Sequence, residues 1–318
     1  MTNAIEATGL VKRYGEVQAL DGLSFSVPEG VVFGLLGPNG AGKSTTVKIL
    51  TTLSRANEGE ARVGGYDVVE NAERVRHLIG VVAQKSGLDP EATGRENVRL
   101  QGQIYGLHWH ELEQRIDELL DRFGLSDAGD RLVRGYSGGM QRRLDIALAL
   151  VHRPRVLFMD EPTTGLDPEV RAGMWREISR LAGDEGLTVL LTTHYMEEAD
   201  ELASRLVILD RGRIVAEGTP DELKGELRGD AVHVELGESE TNGRVERALD
   251  QVPGISEASV DGRLLHARAV PAVLQALETN GIPVAAVTVA RPSLEDVYLR
   301  YAGRTFSEAE TETKEDDR

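Results

Sequence analysis

The chain of 318 residues carries 53 acidic and 36 basic side chains, which gives a formal net charge of −17, and it contains no cysteine. The length predicts about two domains, the charge argues against a surface that binds nucleic acid or anionic lipid, and the absence of thiols excludes disulfides, thiolate-bound metals and thiol catalysis. The longest stretch without a charged side chain, residues 30–42, has 13 residues, fewer than the ~18 that a membrane span needs. The first residues lack the pattern of a signal peptide, so we expect a soluble, intracellular protein.

Up to about residue 225, the sequence predicts an α/β core. Residues 17–27 alternate between apolar and polar side chains, and four later segments are short, apolar and almost free of alternation, which is typical of strands buried on both faces of a parallel sheet. These four segments are residues 31–36, 156–159, 188–193 and 205–210. Helical periodicity is found in residues 46–53, 110–123, 139–151, 169–181 and 197–202. Alternation of buried strands with helices indicates the α/β class.

A second pattern begins near residue 229. Predicted strands at 231–236, 255–260, 264–270 and 284–290 and predicted helices at 243–251 and 271–278 give the order β-α-β-β-α-β, which indicates a small ferredoxin-like α+β domain. A closing helix is predicted at residues 292–301, and residues 307–318 hold six acidic side chains, a composition typical of a solvated, disordered tail. We therefore expect domains at residues 1–227 and 228–303, followed by a disordered tail at 304–318.

The segment GPNGAGKS fits the pattern G-x-x-x-x-G-K-[ST] of a phosphate-binding loop, and it lies between a predicted strand and a predicted helix. Its glycines allow backbone N–H groups to turn inward around an oxyanion, and the start of the following helix adds its dipole. We expect Lys43 to neutralise charge on the β- and γ-phosphates and the Ser44 hydroxyl to bind Mg²⁺. The sequence thus predicts a nucleoside triphosphate site made of Gly37, Pro38, Asn39, Gly40, Ala41, Gly42, Lys43, Ser44 and Thr45.

Two adjacent carboxylates, Asp160 and Glu161, follow a predicted buried strand. Neighbouring residues on a strand point to opposite faces, so both can reach one site only because the strand has ended. We expect Asp160 to hold Mg²⁺ through water and Glu161 to lie where the attacking water is placed.

A second glycine-rich helix start, Ser137-Gly138-Gly139, precedes Asp160 by about 20 residues and opens an apolar helix. Such a start is a second place where backbone amides bind an anion. One triphosphate does not need two of these sites within one subunit, whereas a site shared between two subunits does. The sequence therefore predicts a shared site.

These motifs, in this order, resemble the nucleotide-binding domain of ABC-type ATPases from residue 4 to about residue 225, with a helical subdomain at about 85–152. The resemblance implies that Tyr14 stacks on the adenine ring, that Gln84 contacts Mg²⁺ and water and couples to a membrane partner, that Asp167 belongs to the D-loop, and that His194 contacts the γ-phosphate. It also implies that Ser137, Gly138 and Gly139 reach the γ-phosphate held by the other subunit. The common leucine–serine–glycine–glycine–glutamine signature is altered here, because Tyr136 and Met140 occupy its ends.

The resemblance implies an ATP- and Mg²⁺-dependent ATPase subunit that forms a homodimer and energises a separate membrane-spanning permease from the cytoplasmic face of the membrane. Its implied catalytic residues are Glu161, which acts on the water, with His194, Lys43 and Gln84. No nucleic-acid partner is expected. Because every catalytic candidate lies before residue 195, we expect the small second domain to be regulatory and to support dimerisation; the alternative is a passive lid packed on its own ATPase domain.

A finer similarity, in the runs DEPTTGLDP, LTTHYMEEADEL and SLEDVYLRYAGR, is to exporters of the drug-resistance type. One alternative is a soluble ABC ATPase that acts on ribosomes or DNA, but such proteins usually carry two cassettes or a long coiled-coil insertion. Another is a P-loop GTPase or kinase, but the sequence contains no guanine-reading motif.

Overall fold

The computed structural model describes residues 2–227, 231–236, 245, 259–261, 264–268 and 270–316. The chain divides into two compact units. One contains the described residues up to Thr219 together with those from Glu310 onward, and the other runs from Pro220 to Ala309.

The first unit contains ten strands, seven α-helices and two short 3-10 helices among its described residues up to Thr219. The strands are β1 (Asn3–Tyr14), β2 (Val17–Pro28), β3 (Val32–Leu36), β4 (Glu58–Val63), β5 (Tyr66–Asp67), β6 (Ile79–Val82), β7 (Val156–Asp160), β8 (Thr188–Thr193), β9 (Arg205–Asp210) and β10 (Arg213–Gly218). The helices are α1 (Lys43–Leu50), α2 (Ala72–Leu78), α3 (Gly94–Ile104), α4 (Trp109–Arg122), α5 (Gly138–Leu150), α6 (Pro168–Gly183) and α7 (Met196–Leu202).

A six-stranded sheet with the order β10-β9-β3-β8-β7-β6 forms the centre of this unit. Its strands pair in parallel except for β10, which pairs antiparallel with β9. All residues of β3 and β8 are buried, as expected for strands covered on both faces. The predicted α/β core is confirmed, and the carboxyl ends of β3, β7 and β8 lie side by side at one edge of the sheet.

A second, antiparallel sheet has the order β2-β1-β4-β5. Its inner face packs into a core with α1 and one face of the parallel sheet, through residues such as Leu20, Phe25, Phe33 and Val47. The alternating segment at residues 17–27 therefore forms β2 of this sheet rather than a strand of the parallel sheet. Helices α3, α4 and α5 pack against one another, and they lie within the range expected for the helical subdomain.

The helix after the phosphate-binding loop begins earlier than the sequence predicts. We expected residues 46–53, but α1 runs from Lys43 to Leu50 and follows Gly42 directly. The periodicity of apolar side chains missed the first turn because that turn carries the polar residues of the loop motif.

The second unit begins with α8 (Pro220–Gly225) and contains a four-stranded sheet. Its further described elements are β11 (Ala231–Leu236), β12 (Ser259–Asp261), β13 (Leu264–Arg268), α9 (Val270–Thr279), β14 (Val284–Ala290) and α10 (Leu294–Ala302). The order β12-β13-β11-β14, antiparallel throughout, is that of a ferredoxin-like unit. The predicted helix at 243–251 lies outside the described residues except for Val245, and so does the start of the strand predicted at 255–260.

Two boundaries differ from the sequence-based expectation. The units separate after Thr219, eight residues before the predicted position at 227, because α8 packs against α10 and Arg300 donates a hydrogen bond to the carbonyl oxygen of Glu226 at 3.0 Å. The tail predicted as disordered instead contains the helix α11 (Phe306–Asp316). The side chains of Thr305 and Glu308 cap its start reciprocally, and the buried ring of Phe306 packs on Tyr298 at 5.0 Å between centroids.

Candidate functional site

The loop between β3 and α1 is built around glycines that no other residue could replace without moving its neighbours. Gly42 has a φ of 103°, and a Cβ at this position would lie 2.6 Å from the carbonyl oxygen of Ala19. A Cβ at Gly37 would lie 2.5 Å from the carbonyl oxygen of Leu209. The loop therefore runs close to the neighbouring backbone and leads directly into the first turn of α1, whose unpaired N–H groups favour an anion.

Lys43 is held at this loop by neutral and charged oxygen atoms. Its side chain is only 4% exposed, and Nζ donates hydrogen bonds to the carbonyl oxygens of Gly37 at 2.7 Å and Pro38 at 3.0 Å. Nζ also lies 3.5 Å from Oε1 of Glu161. Burial lowers the pKa of Lys43, against the opposing effect of the Glu161 carboxylate.

Three side chains from α1, β7 and β8 bring their oxygens together at the carboxyl edge of the sheet. Oγ of Ser44 donates to Oδ1 of Asp160 at 3.2 Å, and Oγ1 of Thr192 donates to the same oxygen at 2.5 Å. A hydroxyl and a carboxylate are the kind of hard oxygen ligands that Mg²⁺ takes together with phosphate oxygens. These donors therefore fit the predicted metal.

Glu161 is the centre of a cluster of four predicted catalytic residues, of which Glu161 and Lys43 are buried. Its side chain is 7% exposed, and Oε1 lies near Lys43 and 3.3 Å from Nδ1 of His194. Nε2 of Gln84 donates to Oε2 at 3.1 Å. Burial acts to raise the pKa of the Glu161 carboxyl, but the His194 imidazole and the Lys43 ammonium together outweigh burial and lower this pKa to about 2.

The backbone of Glu161 is strained. Its φ is 48°, a left-handed conformation that costs a residue other than glycine about 1–3 kcal/mol and persists only where the surroundings enforce it. The N–H of Glu161 bonds to the carbonyl oxygen of Thr192 at 3.1 Å. Asp160 is the last residue of β7, and the left-handed conformation of Glu161 directly after it lets both carboxylates face the site.

The glycine-rich start of α5 is separate from this cluster. Ser137 caps the helix by accepting a hydrogen bond from the N–H of Met140 at 3.3 Å, and a Cβ on Gly139 would lie 2.7 Å from a methyl group of Val170. Among the described residues, no hydrogen bond or ion pair joins the Ser137-Gly138-Gly139 segment, Tyr14 or Asp167 to the Glu161 cluster. Tyr14 is 47% exposed, and Asp167 caps α6 through the N–H of Val170 at 3.0 Å.

The altered signature has a packing explanation. The buried ring of Tyr136 donates a hydrogen bond from Oη to the carbonyl oxygen of Ala128 at 2.6 Å. Space for that hydroxyl exists because position 94 is glycine, where a Cβ would lie 2.3 Å from Oη. The buried site therefore accommodates tyrosine where the common signature has leucine.

Several residues near the cluster were not identified from the sequence. They are Ser86, Arg142, Asp145, Thr164, Thr192 and Glu198. Glu198 is fully buried and accepts hydrogen bonds from Thr163 at 2.8 Å and from the indole of Trp175 at 3.0 Å. A signal existed for Arg142, because it lies one helical turn from Ile146 on the apolar face of α5.

A cavity of about 520 Å³ lies elsewhere in the first unit, beside the amino ends of β7 and β8. Arg155 lies 2.8 Å from Glu29, and Arg122 donates to Glu185 at 3.0 Å, with all four side chains lining the cavity. The cavity is thus bordered by a network of ion pairs, away from the phosphate-binding loop.

The fold and the cluster define a P-loop nucleoside triphosphatase, and a second glycine-rich helix start lies apart from the cluster. The model of the ABC transporter family matches residues 20–164, and that of the DrrA1-3-like ATP-binding protein C-terminal domain matches residues 218–302. The daunorubicin resistance ATP-binding protein DrrA3 of Streptomyces coeruleorubidus is 48% identical over 94% of this chain and 96% of its own length. The chain belongs to the family of ABC transporter ATP-binding proteins, and it binds and hydrolyses ATP.

Two further comparisons agree with this family. The daunorubicin/doxorubicin resistance ATP-binding protein DrrA of Streptomyces peucetius is 43% identical over 98% of this chain and 96% of its own length. The structure of cbiO1 from Clostridium perfringens, part of the ABC transporter complex cbiONQ, superposes with a TM-score of 0.66 at 26% identity, covering 71% of this chain and 92% of that one. Among the described residues, none of the helices combines the length and apolar character needed to span a bilayer.

Proposed function

We propose that the chain is the ATP-hydrolysing subunit of an ABC exporter of drugs or other hydrophobic compounds. It energises a separate membrane-spanning permease from the cytoplasmic face of the membrane. The relatives that carry this proposal are named for resistance to daunorubicin and doxorubicin, and they match nearly the whole chain, including the small second unit. Soluble ABC ATPases of ribosomes or DNA are not favoured by these relatives.

One observation carries the proposal that two copies form the working ATPase. Lys43, Gln84, Glu161 and His194 meet at the phosphate-binding loop, whereas the Ser137-Gly138-Gly139 helix start makes no described hydrogen bond or ion pair with them. The two helix starts of one chain lie apart. Two such starts can contact the same triphosphate only if they come from two chains that pair head-to-tail. Each ATP then lies between the loop of one copy and the α5 start of the other.

In this proposed site, different residues of the chain bind the phosphates, hold the metal and act on the water. Lys43 and the N–H groups of the loop and of α1 hold the phosphates, and Ser44, Asp160 and Gln84 hold Mg²⁺, which neutralises phosphate charge. Glu161 orients the attacking water and accepts its proton, and His194 holds the γ-phosphate. Phosphate oxygens compete with Glu161 for Lys43, so nucleotide binding raises the pKa of Glu161 toward the range of an effective base.

The second unit is proposed to support dimerisation and to regulate turnover. Among the strands that the structure describes in this unit, β14 lies at the edge of the sheet, and the segment VAAVTVA contains no charged residue. Val284 and Val287 are exposed on it. Such an edge offers unpaired backbone groups to another strand, and the same edge of a second copy is a suitable partner because antiparallel pairing of two identical edges is symmetric.

Transport is the test of this function. The chain is co-expressed with a membrane-spanning permease subunit, and inverted membrane vesicles are given ATP and a fluorescent anthracycline. We expect ATP-dependent accumulation of the drug, and no accumulation when the chain carries Glu161→Gln. Equal accumulation with both forms contradicts the proposal.

A further inference from the structure

One arginine of the signature helix contacts the backbone on both sides of the catalytic cluster. Nε of Arg142 donates to the carbonyl oxygen of Pro162 at 2.7 Å, and Nη1 donates to that of Ala83 at 2.6 Å. Nη2 donates to the carbonyl oxygens of Asp160 at 3.3 Å and Glu161 at 3.4 Å. A single guanidinium therefore binds the loop after β7 and the residue that precedes Gln84.

The charge of Arg142 is directed at these carbonyls rather than at a close carboxylate. Its side chain is buried, and Asp145 on the same helix lies 3.9 Å away. Burial lowers the pKa of the guanidinium. A planar fork of five N–H donors suits several backbone acceptors at fixed angles, and the point charge of a lysine does not reproduce it.

These contacts bear directly on the strained residue. Arg142 binds the carbonyl oxygens of three consecutive residues, from Asp160 to Pro162, and the middle one, Glu161, has the left-handed φ of 48°. A conformation of this kind needs surroundings that over-determine it. The guanidinium supplies three of those constraints from α5.

The same helix also holds the segment around Gln84. One turn after Arg142, Oδ1 of Asp145 accepts a hydrogen bond from Ser86 at 3.0 Å. Nε2 of Gln84 donates a hydrogen bond to Glu161. Helix α5 therefore contacts residues next to each of the two partners of this hydrogen bond. A shift of α5 therefore moves the glutamate and its amide partner together.

We propose that Arg142 is a positioning residue that makes the placement of Glu161 and Gln84 depend on the position of α5. This rests on the proposed two-copy site, in which the start of α5 contacts the ATP held by the other copy. ATP at one site then adjusts, through Arg142, the glutamate that serves the other site. Arg142 touches neither nucleotide and couples the two sites.

The first measurement is the ATP dependence of hydrolysis by the full-length protein carrying Arg142→Gln or Arg142→Lys. We expect turnover to fall about 10- to 100-fold, as for a reacting group displaced by about an ångström, with unchanged equilibrium ATP binding and a Hill coefficient reduced toward one. Lysine is expected to retain more activity than glutamine. The matched control is Arg115→Gln, because Arg115 also donates to a backbone carbonyl, that of Leu150 at 2.9 Å, but contacts no residue of the cluster.

A mixed dimer separates positioning within a chain from a general weakening of the signature helix. One copy carries Lys43→Ala, so only the wild-type copy's loop binds ATP, completed by the α5 start of the variant copy. Arg142→Gln added to the copy that binds ATP should reduce turnover, and the same change in the Lys43→Ala copy should not. The proposal is overturned if Arg142→Gln lowers turnover only when it is placed in the Lys43→Ala copy, or lowers turnover equally in either copy.

Folding and the two-copy site are checked in the same preparations. Melting temperatures compare the variants with Arg115→Gln, and Arg142→Lys, which keeps the charge, carries the test if the glutamine variant does not fold. The two-copy site itself would be contradicted if the protein stays monomeric with ATP and its turnover per chain does not depend on protein concentration. The effect of Arg142 on turnover would then still be measured in the single chain.

Discussion

The ammonium of Lys43 lies 3.5 Å from a carboxylate oxygen of Glu161, and both side chains are almost fully buried. The residue that is expected to hold phosphate is thus paired with the residue that is expected to act on water. We expect a triphosphate that enters the loop to take Lys43 as its own partner, because phosphate carries more charge than a carboxylate. In the proposed mechanism, binding of the nucleotide and activation of Glu161 are then parts of one exchange of partners.

Removal of Lys43 alone should destabilise the protein. Lys43→Met leaves the Glu161 carboxylate without its ammonium partner in a buried place, which costs about 3–5 kcal/mol when the pair is broken. The double variant Lys43→Met with Glu161→Gln should recover much of that free energy of unfolding, because no buried charge remains unpaired. Urea unfolding of the three variants checks this, and equal stability of the single and double variants would show that the pair is not coupled.

Glu161→Gln should separate ATP binding from hydrolysis. The amide keeps the size of the side chain but cannot accept a proton, so turnover should fall by about 10²–10⁴-fold, the range for a general base. ATP affinity should persist, since Lys43, Ser44 and the loop remain. Equilibrium binding of a fluorescent ATP analogue and single-turnover hydrolysis measure the two effects, and near-normal hydrolysis would remove Glu161 from its role.

The depressed pKa of Glu161 also predicts a pH dependence of stability. Its folded-state pKa of about 2 lies below the ordinary value of 4.5. As the pH falls, the carboxyl is therefore protonated in the unfolded chain before it is protonated in the folded protein. The stabilisation is complete above about pH 4.5, is lost progressively toward pH 2, and amounts to about 3 kcal/mol. The free energy of unfolding should therefore fall more between pH 6 and pH 3 in the wild type than in Glu161→Gln. Parallel pH curves would contradict the assignment.

Tyr136 and Gly94 should depend on one another. In the wild type, Gly94→Ala places a methyl group where Oη of Tyr136 lies, and we expect a loss of about 1–3 kcal/mol from overpacking. In a Tyr136→Leu background the hydroxyl is absent and Gly94→Ala should cost much less. A double-mutant cycle of unfolding free energies measures the coupling, and additive effects would show that the two residues pack independently.

Parts of the fold and the site follow from local sequence, and others depend on contacts between distant segments. The loop before Lys43 and the two carboxylates at the end of β7 have fixed spacing in the chain, and buried strands bring them to one edge of the sheet. The role of Arg142 could not be predicted from the sequence. Its side chain donates to backbone carbonyl oxygens, which every residue type has, so no motif identifies these acceptors. The helix α11 was missed because acidic composition outweighed two local signals, the cap at Thr305 and the apolar ring of Phe306.

The exposed edge of β14 gives a prediction for the second unit. Val287→Lys places a charge on a strand edge, a change that discourages pairing with another strand. We expect weaker dimerisation without nucleotide, measured by analytical ultracentrifugation, while ATP binding stays unchanged. The control is Thr279→Lys, at the exposed end of α9 in the same unit, and an equal effect of both substitutions would contradict a specific edge contact.

The proposed shared site is tested most directly by mixing two variants that we expect to be inactive. Lys43→Ala removes from one copy the lysine that is expected to bind phosphate, and Ser137→Ala removes the signature hydroxyl from the other. In a mixed dimer, one site contains both defects, and the other contains the intact loop of the Ser137→Ala copy and the intact α5 start of the Lys43→Ala copy. We predict that neither variant alone hydrolyses ATP at an appreciable rate and that mixing them restores hydrolysis. No recovery, in mixtures shown to contain the mixed dimer, would contradict a site built from two chains.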